Sequence, residues 1–242
     1  GNPRMFESRY GGAERSTKLY ESFAMPGYFV TVMSVAWSGR QNITRYPPNI
    51  RMMALAPDTP RLPSDREVEK NAVAKHREVA SWLHSDSLRG IKKRIEKVKD
   101  NTDIVILDYL APIGMIKGIE FDCPILYLSH NCEVLLAEQL YGKNSDLTND
   151  IRDMEAELLR RSDAFVYCGP DDLKEISKRF KEHSPGYMIP NGTDMRLRIN
   201  PGASHKSKEM LFVGSGHPPN VVAARNLIPI AEAFPDYTFN IV

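Results

Sequence analysis

Between residues 124 and 220 the chain reads PILYLSHNCE (124–133), LLRRSDAFVYCG (158–169), YMIPNGTD (187–194) and KEMLFVGSGHPPN (208–220), in that order. Each piece is a short apolar run that ends in a polar or glycine-containing loop. Such runs read as buried parallel strands, and open parallel sheets carry their ligand-contacting groups just beyond the carboxyl ends of the strands. The alternation continues on either side of these pieces. A strand is expected over 103–107, a helix over 112–118, a strand over 124–128 and helices between Cys132 and Arg161. A strand over 164–167, a helix over 170–179 that starts at Asp171-Asp172, and a short strand over 187–189 follow. Strands and helices alternating at this length predict an α/β fold, a Rossmann-like parallel sheet with helices on both faces.

Toward the start, the Gly11-Gly12 turn opens a helix over 13–24. Pro26-Gly27 ends it before the β-rich run YFVTVMSVAW (28–37). Another strand is expected over 50–55, then a proline-rich loop over 57–63. Residues 65–99 form a long, charged, helical pattern broken near 85–90. Toward the end, RLRINPGASHKSK (196–208) has the basic, polar, Pro-Gly composition of a linker. A strand over 209–213, a helix over 221–234 and a strand over 237–242 then open another parallel sheet. The expected organisation is an N-terminal Rossmann-like domain over 1–195, a linker over 196–208, and the first β-α-β unit of a truncated second domain over 209–242. A single such unit leaves its apolar faces without neighbours, and the strand expected just before Gly11 is missing from the sequence pattern. Exposed sheet edges, weak stability and self-association are therefore expected of this chain.

Net charge is +1, which gives no whole-chain attraction to nucleic acid or to an anionic membrane. No apolar run approaches the ~20 residues of a spanning helix, and the N-terminus lacks the apolar core of a signal peptide. Cys123, Cys132 and Cys168 are odd in number and form no CxxC pair. They read as reduced thiols of a cytoplasmic protein, with no metal site expected. The stretch LRGIKKRIEKVK (88–99) places Ile91, Ile95 and Val98 on one helical face among lysines and an arginine. Two readings stand: a surface helix packed on a core, or a basic amphipathic helix in peripheral contact with an anionic membrane.

Taken together, GGAER (11–15), SHNCE (129–133), IPNGTD (189–194) and LFVGSGHPPN (211–220) resemble family four of the retaining, GT-B-type nucleotide-sugar glycosyltransferases, the "group 1" family. The resemblance implies an N-terminal domain that binds a carbohydrate or lipid-linked acceptor and a C-terminal domain that binds a nucleotide-diphosphate sugar. It implies transfer with retention in the cleft between them and no bound metal or other cofactor. Most of the donor half would lie beyond Val242, so this chain alone is expected to be inactive. A sugar-nucleotide epimerase of the same architecture and a non-catalytic binding or assembly module are the alternatives.

On the resemblance, Gly11 and Gly12 lie against the donor diphosphate, where backbone N–H groups at a helix start approach a phosphate closely. A plain Gly-Gly turn is the simpler reading of the pair. Arg15 would add a bidentate phosphate contact, or else be an exposed helical arginine. His130, at the end of the strand PILYLS, would reach the donor sugar as a hydrogen-bond partner, in a transfer that gains chiefly from positioning and charge stabilisation. Asn131 and Glu133 are cleft residues or caps of the next helix. Asp108, ending DIVILD (103–108), is an acceptor-side candidate or a cap. Asn191, Gly192 and Asp194 face the cleft or shape a turn. Gly214 and Gly216 would turn tightly near the phosphates, although His217-Pro218-Pro219-Asn220 replaces the basic residue that commonly follows in the family.

Overall fold

The computed structural model describes residues 11–35, 42–46, 49–55, 88–192, 208–214 and 218–242. The expected loop over 57–63, most of the helical stretch 65–99 and nearly all of the linker lie outside them, as do Asp194 and Gly216. The chain divides into two compact units, Gly1–Gly192 and Thr193–Val242.

The first unit begins with helix α1 (Gly11–Phe23), followed by strands β1 (Val30–Val35), β2 (Asn42–Tyr46) and β3 (Ile50–Leu55). β1 pairs in parallel with β3, with Val30 opposite Ile50, and β2 pairs antiparallel on the far side of β3. The sequence reading missed β2. NITRY has only two large apolar residues, and an edge strand needs little apolar content to form its ladder.

Helix α2 (Arg89–Glu96) leads to β4 (Val105–Asp108), α3 (Pro112–Ile116), β5 (Ile125–Leu128), α4 (Glu133–Tyr141), α5 (Asp146–Arg161), β6 (Ala164–Tyr167), α6 (Pro170–Arg179) and β7 (Gly186–Met188). The last four strands form one all-parallel sheet in the order β4-β5-β6-β7. Asp108 pairs in register with Leu128, and Leu128 with Val166, so the carboxyl ends of three strands are level. Tyr127, Leu128 and Phe165 are fully buried, because helices cover both faces of the sheet. α5 buries Ile151, Met154, Leu158 and Leu159 along one stripe. α6 starts at Pro170, and the Asp172 carboxylate accepts the Gly169 N–H at 2.9 Å.

Ile91 and Ile95 of α2 belong to the main core, together with Met53, Leu55 and Leu107. Of the three apolar residues on that helical face, Val98 alone is exposed. The apolar face therefore packs inward, as the surface-helix reading expects.

The second unit contains β8 (Glu209–Phe212), α7 (Pro218–Ala233) and β9 (Thr238–Ile241), with the strands paired in parallel. As expected of a single β-α-β unit, it leaves Leu211, Val213, Val222, Ile228 and Phe234 exposed.

Candidate functional site

The carboxyl ends of β4 and β5 bring Asp108 and His130 together. His130 Nε2 lies 2.6 Å from Asp108 Oδ1, and both side chains are mostly shielded from water. The other carboxylate oxygen accepts a hydrogen bond from the Tyr20 hydroxyl of α1. Burial would push the Asp108 carboxyl up. The hydrogen bond and positive charge of His130, with hydrogen bonds from Ser16 and Tyr20, outweigh it and hold the group below its ordinary value. Asp108 is thus a largely shielded anion surrounded by donors. Burial and the adjacent Asp108 charge push the Tyr20 phenol well up, so it remains a donor.

With Asp108 ionised, its partner nitrogen on the imidazole carries the proton. Nδ1 makes no hydrogen bond among the described residues, and in the neutral ring it presents a lone pair. The Tyr109 ring meets the imidazole edge-on at 6.0 Å. Tyr109 has φ +70°, a conformation that costs a bulky residue about 1–3 kcal/mol. Its N–H bonds Leu128 O at 3.1 Å, fixing the strained turn to the neighbouring strand end.

The loop carrying His130 is held at both ends. Ser129 N–H donates to Val166 O at 2.9 Å, and Ser129 Oγ to Asn131 O at 2.5 Å. Asn131 Nδ2 donates to Glu133 Oε1 at 3.2 Å. Neither Asn131 nor Glu133 caps α4: the N-cap is Cys132, which makes no side-chain bond. The acceptor for that helix end comes from α5. Glu155 takes the N–H groups of Glu133 and Val134 at 3.0 and 2.9 Å. Both glutamates are buried. Burial and mutual repulsion push Glu133 up to about 8. Burial also raises Glu155, to about 7, against the lowering effect of the two backbone donors.

Gly11 and Gly12 open α1, and Arg15 follows one turn later. Arg15 Nη1 donates to Asn191 Oδ1 at 3.0 Å, joining α1 to the segment after β7. Its Nε and Nη2 are buried and have no partner among the described residues. Arg15 is therefore no plainly exposed helical arginine. The Cys168 thiol, at the end of β6, feels the Arg15 charge and donates to Ser129 O at 3.7 Å. Asp108, His130, Cys168, Arg15 and Asn191 thus collect along one edge of the sheet. All three cysteines are free thiols.

Gly192 is exposed, and a Cβ there would meet nothing within 4 Å, so no packing within the first unit demands glycine. Gly214 differs: a Cβ would lie 2.9 Å from Phe212 Cε1 and 3.1 Å from Asn220 Cβ. Close packing of β8 on α7 explains that glycine without a ligand. Among the described residues no group of three or more His, Cys, Asp or Glu side chains is placed to hold a metal ion. No helix among them is long and apolar enough to cross a membrane.

No protein-family profile matches the chain, and no curated protein matches its sequence. Among solved structures it is similar to sucrose-phosphate synthase from Thermosynechococcus elongatus, with a TM-score of 0.61 at 13% identity. That match covers 96% of this chain and 65% of the other. A second structure of the same enzyme aligns over 75% of this chain and 86% of its own, with a TM-score of 0.49 and 13% identity. At such identity the likeness carries the fold alone, a GT-B-type arrangement of a Rossmann-like parallel sheet with flanking helices followed by a second sheet, and this chain spans about two thirds of the length of the first match.

Proposed function

We propose that this chain supplies the acceptor-side domain, and the opening of the donor-side domain, of a glycosyltransferase that moves a sugar from a nucleotide diphosphate to a carbohydrate or lipid-linked acceptor. The observation that carries the reading is a carboxylate-oriented imidazole and a partly buried arginine, with two shielded and unpartnered nitrogens, along one carboxyl edge of the parallel sheet. Arg15 has two buried donors to offer an anion, and the first turn of α1 adds backbone N–H groups unencumbered by side chains at Gly11 and Gly12. A leaving diphosphate develops charge as the glycosidic bond breaks, and fixed donors there lower the barrier more than mobile water does. Asn191 holds the guanidinium in place. Gly214 and Gly216 belong to the donor side in this reading, with Gly192 and Asp194 at the crossover.

Retention is the stereochemistry that the family resemblance implies, with His130 as a hydrogen-bond partner of the sugar. The Asp108–His130 geometry favours a second reading of the same reaction. A ring fixed by a carboxylate through one nitrogen can take the acceptor hydroxyl proton through the other, and direct displacement by that oxygen inverts the anomeric centre. The two readings are separated by one experiment on a version of the chain extended past Val242. Nucleotide-diphosphate sugars are offered with simple sugar acceptors, and the anomeric configuration of the product is read by proton NMR. Product with the donor's configuration supports retention, and the opposite anomer supports His130 as base. Absence of transfer and of donor binding across the panel would leave the non-catalytic binding module as the better description. Peripheral membrane contact, in this reading, rests on the exposed Lys93, Arg94 and Lys97 of α2 and its flank, since Ile91 and Ile95 are in the core.

A further inference from the structure

We infer that Glu155 is a positioning residue for His130, acting through the first turn of α4, with Glu133 as the neighbouring buried carboxyl that ties the His130 loop to that turn. The inference rests on His130 being the imidazole of the site, as proposed above. It concerns how the ring is held, whatever the substrate.

His130 lies three residues before the start of α4, on a loop whose conformation is set by where that helix begins. The first backbone N–H groups of a helix have no partner within it. Here two of them end on the two oxygens of one carboxylate, delivered from a helix 22 residues downstream. An ionised Glu155 answers both donors and the positive end of the α4 dipole at once. Asn131, the residue after His130, reaches the same place by donating to Glu133 Oε1. The chain from the imidazole to Glu155 is therefore continuous: loop, Asn131, Glu133, clasp.

Two adjacent buried carboxyls cannot both ionise cheaply. Glu155 has the backbone donors and gives up its proton first, while Glu133 keeps its proton to higher pH. The groups facing the pair reinforce this division. Tyr109 and Tyr127 add no positive charge, Cys132 and Cys168 are thiols, and Asp172 of α6 raises both carboxyls. Arg179 of α6 is the cation that favours the Glu155 anion. Arg179 itself is tied to Glu138 and Glu175, so α6 holds that charge in place. Loss of the second proton would put two anions at the base of the His130 loop.

The test uses the full chain labelled at histidine, with the His130 signal assigned by H130Q and followed from pH 5.5 to 9. The variants are E155Q and E133Q. The side-chain amide that E155Q introduces can accept one of the two N–H groups but turns a donor toward the other. Amide exchange at Glu133 and Val134 should then accelerate roughly tenfold or more, and the His130 ring signal should move. E133Q replaces a protonated carboxyl by its neutral isostere. It should keep amide protection within about twofold while removing an inflection of the His130 signal near pH 8. If E155Q does not fold, the E133Q titration decides alone. A folded E155Q with unchanged amide exchange and an unmoved ring signal would overturn the inference, as would an E133Q titration identical to wild type. Both readouts come from the free protein. Failure of sugar transfer would therefore sink the functional proposal while leaving this one to its own result.

Discussion

Glu133→Gln should make the protein more stable as pH rises, which is opposite to the usual effect of altering a buried polar residue. Glu133 is 2% exposed, and in the native state it binds its proton up to about pH 8 against an ordinary value of 4.5. Its native pKa lies above the unfolded one. The stability it contributes is therefore complete below about pH 4.5 and is lost progressively as pH rises to about 8. One proton held by the native state alone corresponds to about 1.4 kcal/mol per pH unit. Gln cannot titrate, keeps an oxygen to accept from Asn131, and matches the protonated acid in size. Wild type and variant should be nearly equal at pH 4.5. Over the 2.5 units to pH 7 the variant should gain roughly 3 kcal/mol, approaching a plateau near pH 8. Titrating groups other than Glu155, which is coupled to Glu133, are common to both proteins and cancel in the difference. Urea unfolding at pH 5, 6, 7 and 8 measures that difference directly, provided the two proteins share the same m value. Parallel stability curves, with a constant offset across the range, would refute the idea that Glu133 is protonated in the fold.

Asp108→Asn should cost about 2–4 kcal/mol at pH 7, because it strips the anion from the His130 and Tyr20 hydrogen bonds. As the Asp108 pKa is depressed in the fold, that cost should shrink as pH falls through the acid range, which chemical denaturation at pH 7 and pH 4 would reveal. Gly186→Ala places a Cβ 2.5 Å from the Phe165 ring, within the core, and should lower stability by about 1–3 kcal/mol in the same assay. Arg15→Ala, in a chain extended past Val242, should weaken nucleotide-diphosphate binding tenfold or more by calorimetry, the scale of a lost charge-assisted hydrogen bond of ~1.5–3 kcal/mol. Equal affinity in wild type and R15A would remove Arg15 from the phosphate site.

Much of the sheet was legible because its strands are unbroken apolar runs with clear punctuation. Ala164–Tyr167 and Pro170–Arg179 fall where the sequence puts them, since Asp163 precedes the strand and Gly169-Pro170 opens the helix. His130 was legible as a strand-end group for the same reason. Its partner was harder to find. Asp108 ends a strand as plainly as a helix cap would, and only strand register brings it beside residue 130, through Asp108 opposite Leu128. Tyr20 and Ser16, four apart on one face of α1, gave no distinct signal, because polar and aromatic residues at that spacing serve many packings. Glu155 did leave a trace. Ile151, Met154 and Leu158 define the buried stripe of α5, and position 155 falls inside it, so a glutamate there had to find donors in the core. Tyr109 left none, since nothing in its local sequence announces a positive φ.

The site's electrostatics follow from two carboxyls placed only one strand apart. Asp108 ends β4 and Glu133 opens the helix after β5, both largely shielded from water, yet their pKa values move in opposite directions. The difference lies in the donors. Asp108 receives an imidazole N–H and a phenol O–H, so its charge survives burial, whereas Glu133 receives a single amide N–H and faces a second carboxylate. His130 therefore has one fixed anion on the side of its bonded nitrogen and a neutral acid on the loop that follows. Pairs of carboxyls driven apart in this way separate the roles of two otherwise equivalent groups. Here one orients the imidazole, and the other closes the loop that carries it.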